Sequence, residues 1–342
     1  MRDTALFFPF ISIPEEQWTY QTLLYWDRLA SIVPFDHMES PKQMTPFMRT
    51  LLREGLVDRL HPGQYIYEIE GFDSNFITLI ESKLSRVRAI QQKFPQHKVF
   101  GKHRQAPIHA EKLGIVQNYL VSKGLAVRDT DDWYIVEAWA ANLFMAYLAS
   151  CLGALEEVNA APVTNRVNIA NLYANFTGDN ISQEGSAHSS EARKMILNAL
   201  LPYPNEPIKA ADLFKFKEQH GHLLPAFRNR IEGHCITVAQ HYVLEERMLL
   251  NENFINDSLD EIAYIESRMK PFWKKLTFSS ITPIVGASIS AAATQVDQNA
   301  ALTGAVVTLS STIIQAVSTI REDRRVTNAP LAYVARSRGG LA

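Results

Sequence analysis

Residues 276–320 contain a single charged side chain, Asp297, although 20% of the residues in the whole chain are charged. A segment with so few charges must be buried in protein or in lipid, because long apolar stretches are unfavourable in water. Whether this stretch is buried in protein or in lipid therefore limits the class of protein more strongly than any other feature of the sequence.

Two arms with helical spacing make up most of this uncharged stretch. The first arm, 281–294, and the second arm, 300–320, each place aliphatic side chains at near-heptad intervals. The polar residues 295–299 between them predict a turn. The sequence thus predicts a helical hairpin over 278–320, although its many β-branched side chains leave a β-structure open as the alternative.

Length and polarity bear on whether this hairpin packs against protein or enters a membrane. At 1.5 Å per residue the first arm reaches about 21 Å, which is short of a hydrocarbon core about 30 Å thick. The second arm is long enough to span, but one of its faces carries Thr308, Ser311, Thr312, Gln315 and Ser318. These properties favour a hairpin that packs against protein or forms oligomers, with membrane entry as the alternative.

The rest of the composition is that of a folded protein with a sizeable core. The 342 residues, of which 46% are hydrophobic, are enough for two ordinary domains. The net charge of −2 argues against a nucleic-acid surface built on bulk positive charge. Cys151 and Cys235 lie in stretches with helical spacing, which predicts buried thiols in a reducing cytoplasm.

The first half of the chain alternates strand and helix patterns. Residues 6–13 predict a buried strand and residues 31–35 a second one, with a helix that follows Pro14 between them. Thr45 and Pro46 predict the start of another helix. A threonine side chain can cap the first helical amides, and proline suits the first helical position.

The same alternation continues further along the chain. Residues 65–69 predict a strand, and Asp73 predicts the cap of a long amphipathic helix. Residues 112–123 predict another helix. A short strand at 133–136 then precedes a strongly apolar helix at 137–155, which should be central to the core.

The second half is essentially helical. A polar stretch at 171–190, rich in Asn, Ser and Gly, predicts an exposed connection between two domains. Helical spacing then recurs in four segments: 190–200, 210–220, 223–246 and 258–273.

Together these patterns predict the fold class and the domain organisation. We expect an α+β protein that is mostly α, with an α/β domain over 1–165 built on a small sheet. A helical domain over 190–342 should follow, and it should include the uncharged hairpin at 278–320.

Several local patterns resemble those of an uncharacterised bacterial protein family of unknown function. They are found at residues 5–10, 23–27, 32–34, 107–112, 146–149, 162–164, 212–217 and 220–224. The resemblance extends over about the first 270 residues, and Leu-Leu-Tyr-Trp-Asp at 23–27 is its most distinctive motif. It implies a bacterial cytoplasmic protein and names no reaction. Where such families occur beside mobile or defence genes, it also implies an accessory role against phage.

The densest polar group of the first half consists of His103, Arg104, His109, Glu111 and Lys112. These residues lie near the ends of short strands predicted at 98–100 and 107–109, where α/β proteins tend to place ligand-binding groups. The cations among them would suit an anion pocket. His-Ala-Glu has the spacing used by zinc deaminases, but the Pro-Cys-x-x-Cys partner of that site is absent from the sequence.

Asp27 follows Trp26 at the end of an apolar helix, where a carboxylate is unfavourable unless it is paired or hydrogen-bonded. We therefore predict that the Asp27 carboxylate makes a structural hydrogen bond to backbone amides or to an arginine at the turn into the next strand. The alternative is that Asp27 is a ligand-binding carboxylate.

Further along the chain, His234, His241 and Glu245 would share one face of a single predicted helix. Seven residues separate the two histidines, which is too far for one metal ion, so we predict a polar contact between helices and no metal site. The phosphate-binding and nucleophile motifs are absent from the sequence, and no cofactor is predicted.

The predicted function is that of a cytoplasmic accessory or regulatory protein that binds itself or another protein. An enzyme is not favoured, because the sequence contains no recognisable catalytic motif. Two alternatives stay open. One is a membrane-permeabilising effector that uses the hairpin at 278–320. The other is an enzyme or ligand-binding protein that uses Asp27 or the group from His103 to Lys112.

Overall fold

The fold is α+β and mostly α, as the sequence predicts, with its sheets in the N-terminal part of the chain. The computed structural model describes residues 3–93, 105–166, 183–201, 208–268 and 329–340. The chain divides into two compact units, Met1–Gln183 and Glu184–Ala342. The predicted hairpin at 278–320 lies outside the described residues.

Strands and helices alternate along the described part of the first unit. Its strands are β1 (Thr4–Phe7), β2 (Arg28–Ile32), β3 (Val57–Leu60), β4 (Gln105–His109), β5 (Ala126–Arg128), β6 (Trp133–Glu137) and β7 (Ala160–Val163). Its helices are α1 (Gln17–Tyr25), α2 (Phe35–Glu39), α3 (Pro46–Arg53), α4 (Phe72–Lys93), α5 (Ala110–Leu113), α6 (Val116–Ser122) and α7 (Ala138–Ala154).

The strands form two sheets. The larger sheet is entirely parallel, in the order β3-β2-β1-β7, and the smaller is antiparallel, in the order β4-β6-β5. The sequence patterns did not predict β7. It contains Pro162, which cannot donate a ladder hydrogen bond, and β7 accordingly lies at an edge of the sheet.

Helix α7 is the central element of the core, as its apolar composition predicts. It packs against β7, β1, β4 and β6, and against α4. Phe72 and Phe76 of α4 form an aromatic layer with Phe144 and Tyr147 of α7, with ring centroids 5.1–6.3 Å apart. Gly153 lets α7 approach β7 closely, because a Cβ there would collide with the backbone carbonyl of Ala160.

The strand predicted at 65–69 is wrong. These residues form a 3-10 turn, Ile66–Glu68, and the strand lies earlier, at Val57–Leu60. Ile66 faces the core and its neighbours in the turn do not. The sequence of the turn therefore alternates in polarity, as that of a half-buried strand does. The helix predicted at 112–123 is broken at Gly114, whose φ of +53° favours glycine and ends α5.

The second unit is helical over its described residues. Its helices are α8 (Gln183–Leu200), α9 (Ala210–His220), α10 (Leu224–Ala239), α11 (Leu244–Arg268) and α12 (Ala332–Gly340). The exposed connection predicted at 171–190 is wrong for 183–190, which belong to α8. The helix predicted at 223–246 is interrupted between α10 and α11.

The C-terminal helix α12 lies in the core of this unit. Leu331 and Tyr333 at its start are fully buried, and the Tyr333 ring packs against Phe216 and Phe227. Helix α12 packs against α9, α10 and α11. Consequently, the chain on either side of the uncharged stretch belongs to one helical bundle. No helix among the described residues has the length and apolar character needed to cross a membrane.

The start of α3 follows the sequence prediction closely. The Thr45 Oγ1 accepts a hydrogen bond from the Met48 amide at 3.2 Å, and Pro46 occupies the first helical position. We expect Thr45→Ala to lower the free energy of unfolding by about 1 kcal/mol, because the Met48 amide loses its partner. Thr50→Ala, inside the same helix, should be neutral or slightly stabilising. Equal losses in chemical denaturation of the two variants would contradict this role of the cap.

Candidate metal centre

Several loops of the first unit meet beyond the carboxyl ends of β2 and β3. These two strands are parallel neighbours, so the residues that follow them emerge at the same edge of the sheet. Helix α2 follows β2, and His61 directly follows β3. Helix α5, which follows β4 of the other sheet, is hydrogen-bonded to both loops.

The carboxylate of Glu111 makes this connection. Its Oε2 accepts a hydrogen bond from the Phe35 amide at 2.8 Å and lies 3.0 Å from the His61 Nε2. Burial on its own would raise the pKa of Glu111, but these two hydrogen bonds, together with the charges of His109 and His61, hold the pKa below its ordinary value. Glu111 therefore stays ionised and joins the loops after β2 and β3 to α5.

The pairing of β4 with β6 positions the next two side chains. His109 ends β4 opposite Trp133, and the two rings lie edge to face with centroids 5.1 Å apart. The Ala110 amide donates a hydrogen bond to the Asp132 carbonyl at 2.8 Å. These contacts hold Asp132 beside His109, although 23 positions separate the two residues in the sequence.

Asp36, His109 and Asp132 each offer one possible ligand atom, and these atoms lie within 4.8 Å of one another. Both aspartates are exposed, whereas His109 is only 3% exposed. The His109 Nδ1 accepts a 3.3 Å hydrogen bond from the Glu111 amide. Because Nδ1 accepts this bond, the Nε2 of the neutral ring carries the proton, and it is buried without a hydrogen-bond partner among the described residues.

His37 lies close to the same group. Its Nδ1 is also buried and makes no hydrogen bond within the described part of the chain. Burial, followed by the nearby Lys112 and His109, lowers the pKa of His37, while Asp36 acts in the opposite direction. At neutral pH this imidazole is therefore mainly uncharged and can offer a lone pair.

Lys112 is the most unusual side chain of the region, because it is only 3% exposed. Burial lowers the pKa of Lys112 from 10.5 to about 7. A buried amine with a pKa near neutrality is uncommon outside functional sites.

The structure brings together only part of the predicted group of site residues. His109, Glu111 and Lys112 lie at this edge of the sheet, and His103 and Arg104 lie outside the described residues. The predicted anion pocket therefore stays a prediction. The groups that the described structure places beside His109 include carboxylates, which suit a cation.

Asp27 lies away from this group. It precedes β2, whereas the site lies beyond the other end of that strand, about 16 Å away at 3.3 Å per residue. The Asp27 amide donates to the Asp3 carbonyl at 2.9 Å, next to the pairing of β1 with β2. Its backbone therefore takes part in joining these two strands.

Four residues of the region were missed by the sequence analysis: Asp36, His37, His61 and Asp132. A partial signal existed for three of them, because Asp36 and His37 follow the strand predicted at 31–35 and Asp132 precedes the one at 133–136. His61 had no such signal, since its strand was not predicted.

The prediction that His234, His241 and Glu245 share one helix is wrong, because His241 lies in the interruption between α10 and α11. The predicted contact between helices is confirmed for His234. Its Nε2 lies 3.0 Å from the Asn251 Oδ1 of α11. Its ring also stacks on Phe254, with centroids 4.1 Å apart.

The fold and the donor set define an α+β protein with a candidate metal centre beyond the end of a parallel sheet. No protein-family model matches the chain, and no curated protein or solved structure shows significant similarity to it. The resemblance described for the sequence therefore stays a prediction, and the function is argued from the site.

Replacement of Lys112 by methionine tests the burial of its amine. The unfolded chain binds a proton on the Lys112 amine more tightly than the folded chain does, so protonation of this amine favours unfolding. Between about pH 7 and pH 10, the Lys112 contribution to the free energy of unfolding should rise by up to about 1.4 kcal/mol per pH unit. We expect Lys112→Met to be more stable than wild type at pH 7 and to lose that advantage by about pH 10.

The measurement is chemical denaturation across this pH range, with a chelator present. Lys123→Met is a matched control, because the Lys123 side chain is 39% exposed and makes a surface ion pair with Glu81. Its effect on stability should depend little on pH. A Lys112→Met curve parallel to that of wild type would show that the amine is not buried as described.

Proposed function

We propose that the first unit is a metal-dependent hydrolytic enzyme in which Asp36, His109 and Asp132 bind one divalent transition-metal ion. The observation that carries this proposal is the set of three ligand atoms within 4.8 Å, one of them from a buried histidine. Two ligand atoms on a tetrahedral zinc ion are about 3.3 Å apart. Because both aspartates are exposed, small side-chain rotations would bring the three atoms to that spacing.

The chemistry of the donors supports a transition metal over other ligands. Imidazole nitrogen suits zinc and its neighbours, and carboxylate oxygens add negative charge that zinc or manganese would neutralise. A metal bound at the His109 Nε2 requires the ring proton on Nδ1. In the described structure Nδ1 instead accepts the hydrogen bond from the Glu111 amide, so metal binding would replace that bond with one that Nδ1 donates to the Glu111 Oε2, now 3.9 Å away, as in the carboxylate–histidine–metal arrangement of metalloenzymes.

Metal-assisted hydrolysis is the reaction class that this arrangement fits best. Three protein ligands leave a fourth position on zinc for a water molecule, whose pKa the metal lowers to about 7. Because both aspartates are exposed, a carbonyl or phosphoryl substrate could reach a metal held there from solvent. The lowered pKa of Lys112 also reduces the positive charge that would oppose metal binding.

Metal binding tests the site directly. We expect calorimetry to give about one zinc or manganese ion per chain for the wild type. Asp36→Asn and Asp132→Asn remove one ligand each at exposed positions, so the fold should be retained. Because loss of a group that merely orients a ligand costs about 10–100-fold in affinity, loss of a ligand should cost at least about 100-fold.

Asp131→Asn is the matched control, because Asp131 is the neighbour of Asp132 and its side chain is 98% exposed. It should bind metal as the wild type does. Metal affinity equal to that of the wild type in both Asp36→Asn and Asp132→Asn would refute the metal site. Tight metal binding without zinc-dependent hydrolysis of activated carboxylic and phosphate esters would refute only the enzymatic part of the proposal.

We also propose, as a second function, that the uncharged stretch 278–320 mediates assembly with a second copy or with another protein. Its support is that α11 and α12, which precede and follow the stretch, pack against each other in one bundle. The bundle thus holds both flanks of a stretch whose sequence predicts a hairpin. Membrane permeabilisation is the alternative use of the same stretch.

Deletion of 278–320, with a short Gly/Ser linker in its place, tests whether this stretch mediates assembly or membrane permeabilisation, or only stabilises the fold. The linker should preserve the bundle, because α12 can still pack against α11. We expect light scattering to give a smaller assembly for the deletion variant than for the full chain. Identical masses, or leakage from anionic liposomes that Val306→Asp abolishes, would contradict the assembly role.

A further inference from the structure

A cavity of about 360 Å³ lies beside the start of α4. It is lined by the apolar residues Ile66, Ile69, Phe72 and Ile115 and by Tyr67, Gly71, Asp73 and Ser74. Its size falls within the range of sites for small organic ligands. The ligands proposed for the metal centre are not among the residues that line it.

Asp73 is the polar group that gives the cavity its chemical character. The sequence predicts Asp73 as a helix cap, but it lies inside α4, and its Oδ1 is buried with no hydrogen-bond partner in the described residues. Burial raises the pKa of Asp73. Asp73 is the only charged residue among those that line the cavity.

The wall behind this carboxylate is held in place by the core. Phe72 is 3% exposed and packs against Phe144 and Tyr147 of α7. The Tyr147 hydroxyl donates a hydrogen bond to the Phe72 carbonyl at 2.8 Å. Asp73 follows Phe72 directly, so its position relative to the cavity is fixed by the same packing and needs no ligand to form.

The outer side of the cavity is lined by two exposed side chains. Tyr67 is 76% exposed and Ile115 is 61% exposed. Tyr67 lines the same cavity as Asp73, and the two together favour a positively charged group, because the face of an aromatic ring attracts cations. An inorganic metal ion is disfavoured here, because one carboxylate among isoleucine side chains offers too few ligand atoms.

We infer that this cavity binds a small organic ammonium ion, with the ammonium group at Asp73 and an apolar portion against Ile66, Ile69 and Ile115. The Asp73 carboxylate supplies charge complementarity for the ammonium group. The apolar portion of the ligand would cover side chains that now face water. This site is independent of the proposed metal centre.

Phenethylammonium and its neutral isostere 2-phenylethanol are suitable probes, because they differ in charge and little in shape. We expect the wild type to bind phenethylammonium at least about tenfold more tightly than 2-phenylethanol at pH 7, measured by NMR titration. Asp73→Asn should remove this preference, because the amide keeps the shape of the carboxylate without its charge. Tyr67→Ala should weaken phenethylammonium binding about threefold, in line with a partly exposed cation–π contact.

Glu70→Gln is the matched control, since Glu70 is exposed and lies on the segment that borders the cavity. It should keep the preference for the ammonium probe. The inference is overturned if the wild type binds both probes equally or neither, if Asp73→Asn keeps the preference, or if Glu70→Gln loses it as fully. Circular dichroism of each variant would show that the fold is intact. Because Tyr67→Ala leaves Asp73 unchanged, its result tests the binding site even if the Asp73 variant affects folding.

Discussion

The carboxylate of Glu111 is the interaction on which the candidate metal centre depends. It accepts the Phe35 amide and contacts His61, so it ties the loops after β2 and β3 to the helix that carries Lys112. Hydrogen bonds to a charged group contribute about 1.5–3 kcal/mol each when they are partly buried. They therefore help to fix Asp36, at the start of α2, relative to the end of β4.

Both proposed sites share one physical feature, which is a buried polar atom that the surrounding protein does not satisfy. The His109 Nε2 and the Asp73 Oδ1 are such atoms. Their surroundings differ: His109 has two carboxylates beside it, whereas Asp73 is the only charged residue among those that line its cavity. The carboxylates beside His109 therefore suit a metal ion, and the single charge of Asp73 suits an organic cation.

Much of the fold follows from local sequence signals, because caps and helix periodicity act over a few residues. Thr45 predicted the start of α3 in this way, and His109 stood out within a dense polar group. The strand Val57–Leu60 was missed because half of its residues are polar and its support is pairing with β2. Asp36 and Asp132 were missed because only sheet register and the Glu111 contacts bring them to His109.

The most direct test of the central claim is the position of a bound metal in a crystal of the full chain soaked with zinc. Anomalous difference density should show a peak about 2.0–2.2 Å from a His109 nitrogen and from carboxylate oxygens of Asp36 and Asp132. A peak only at exposed histidines such as His222, or none near His109, would contradict the account.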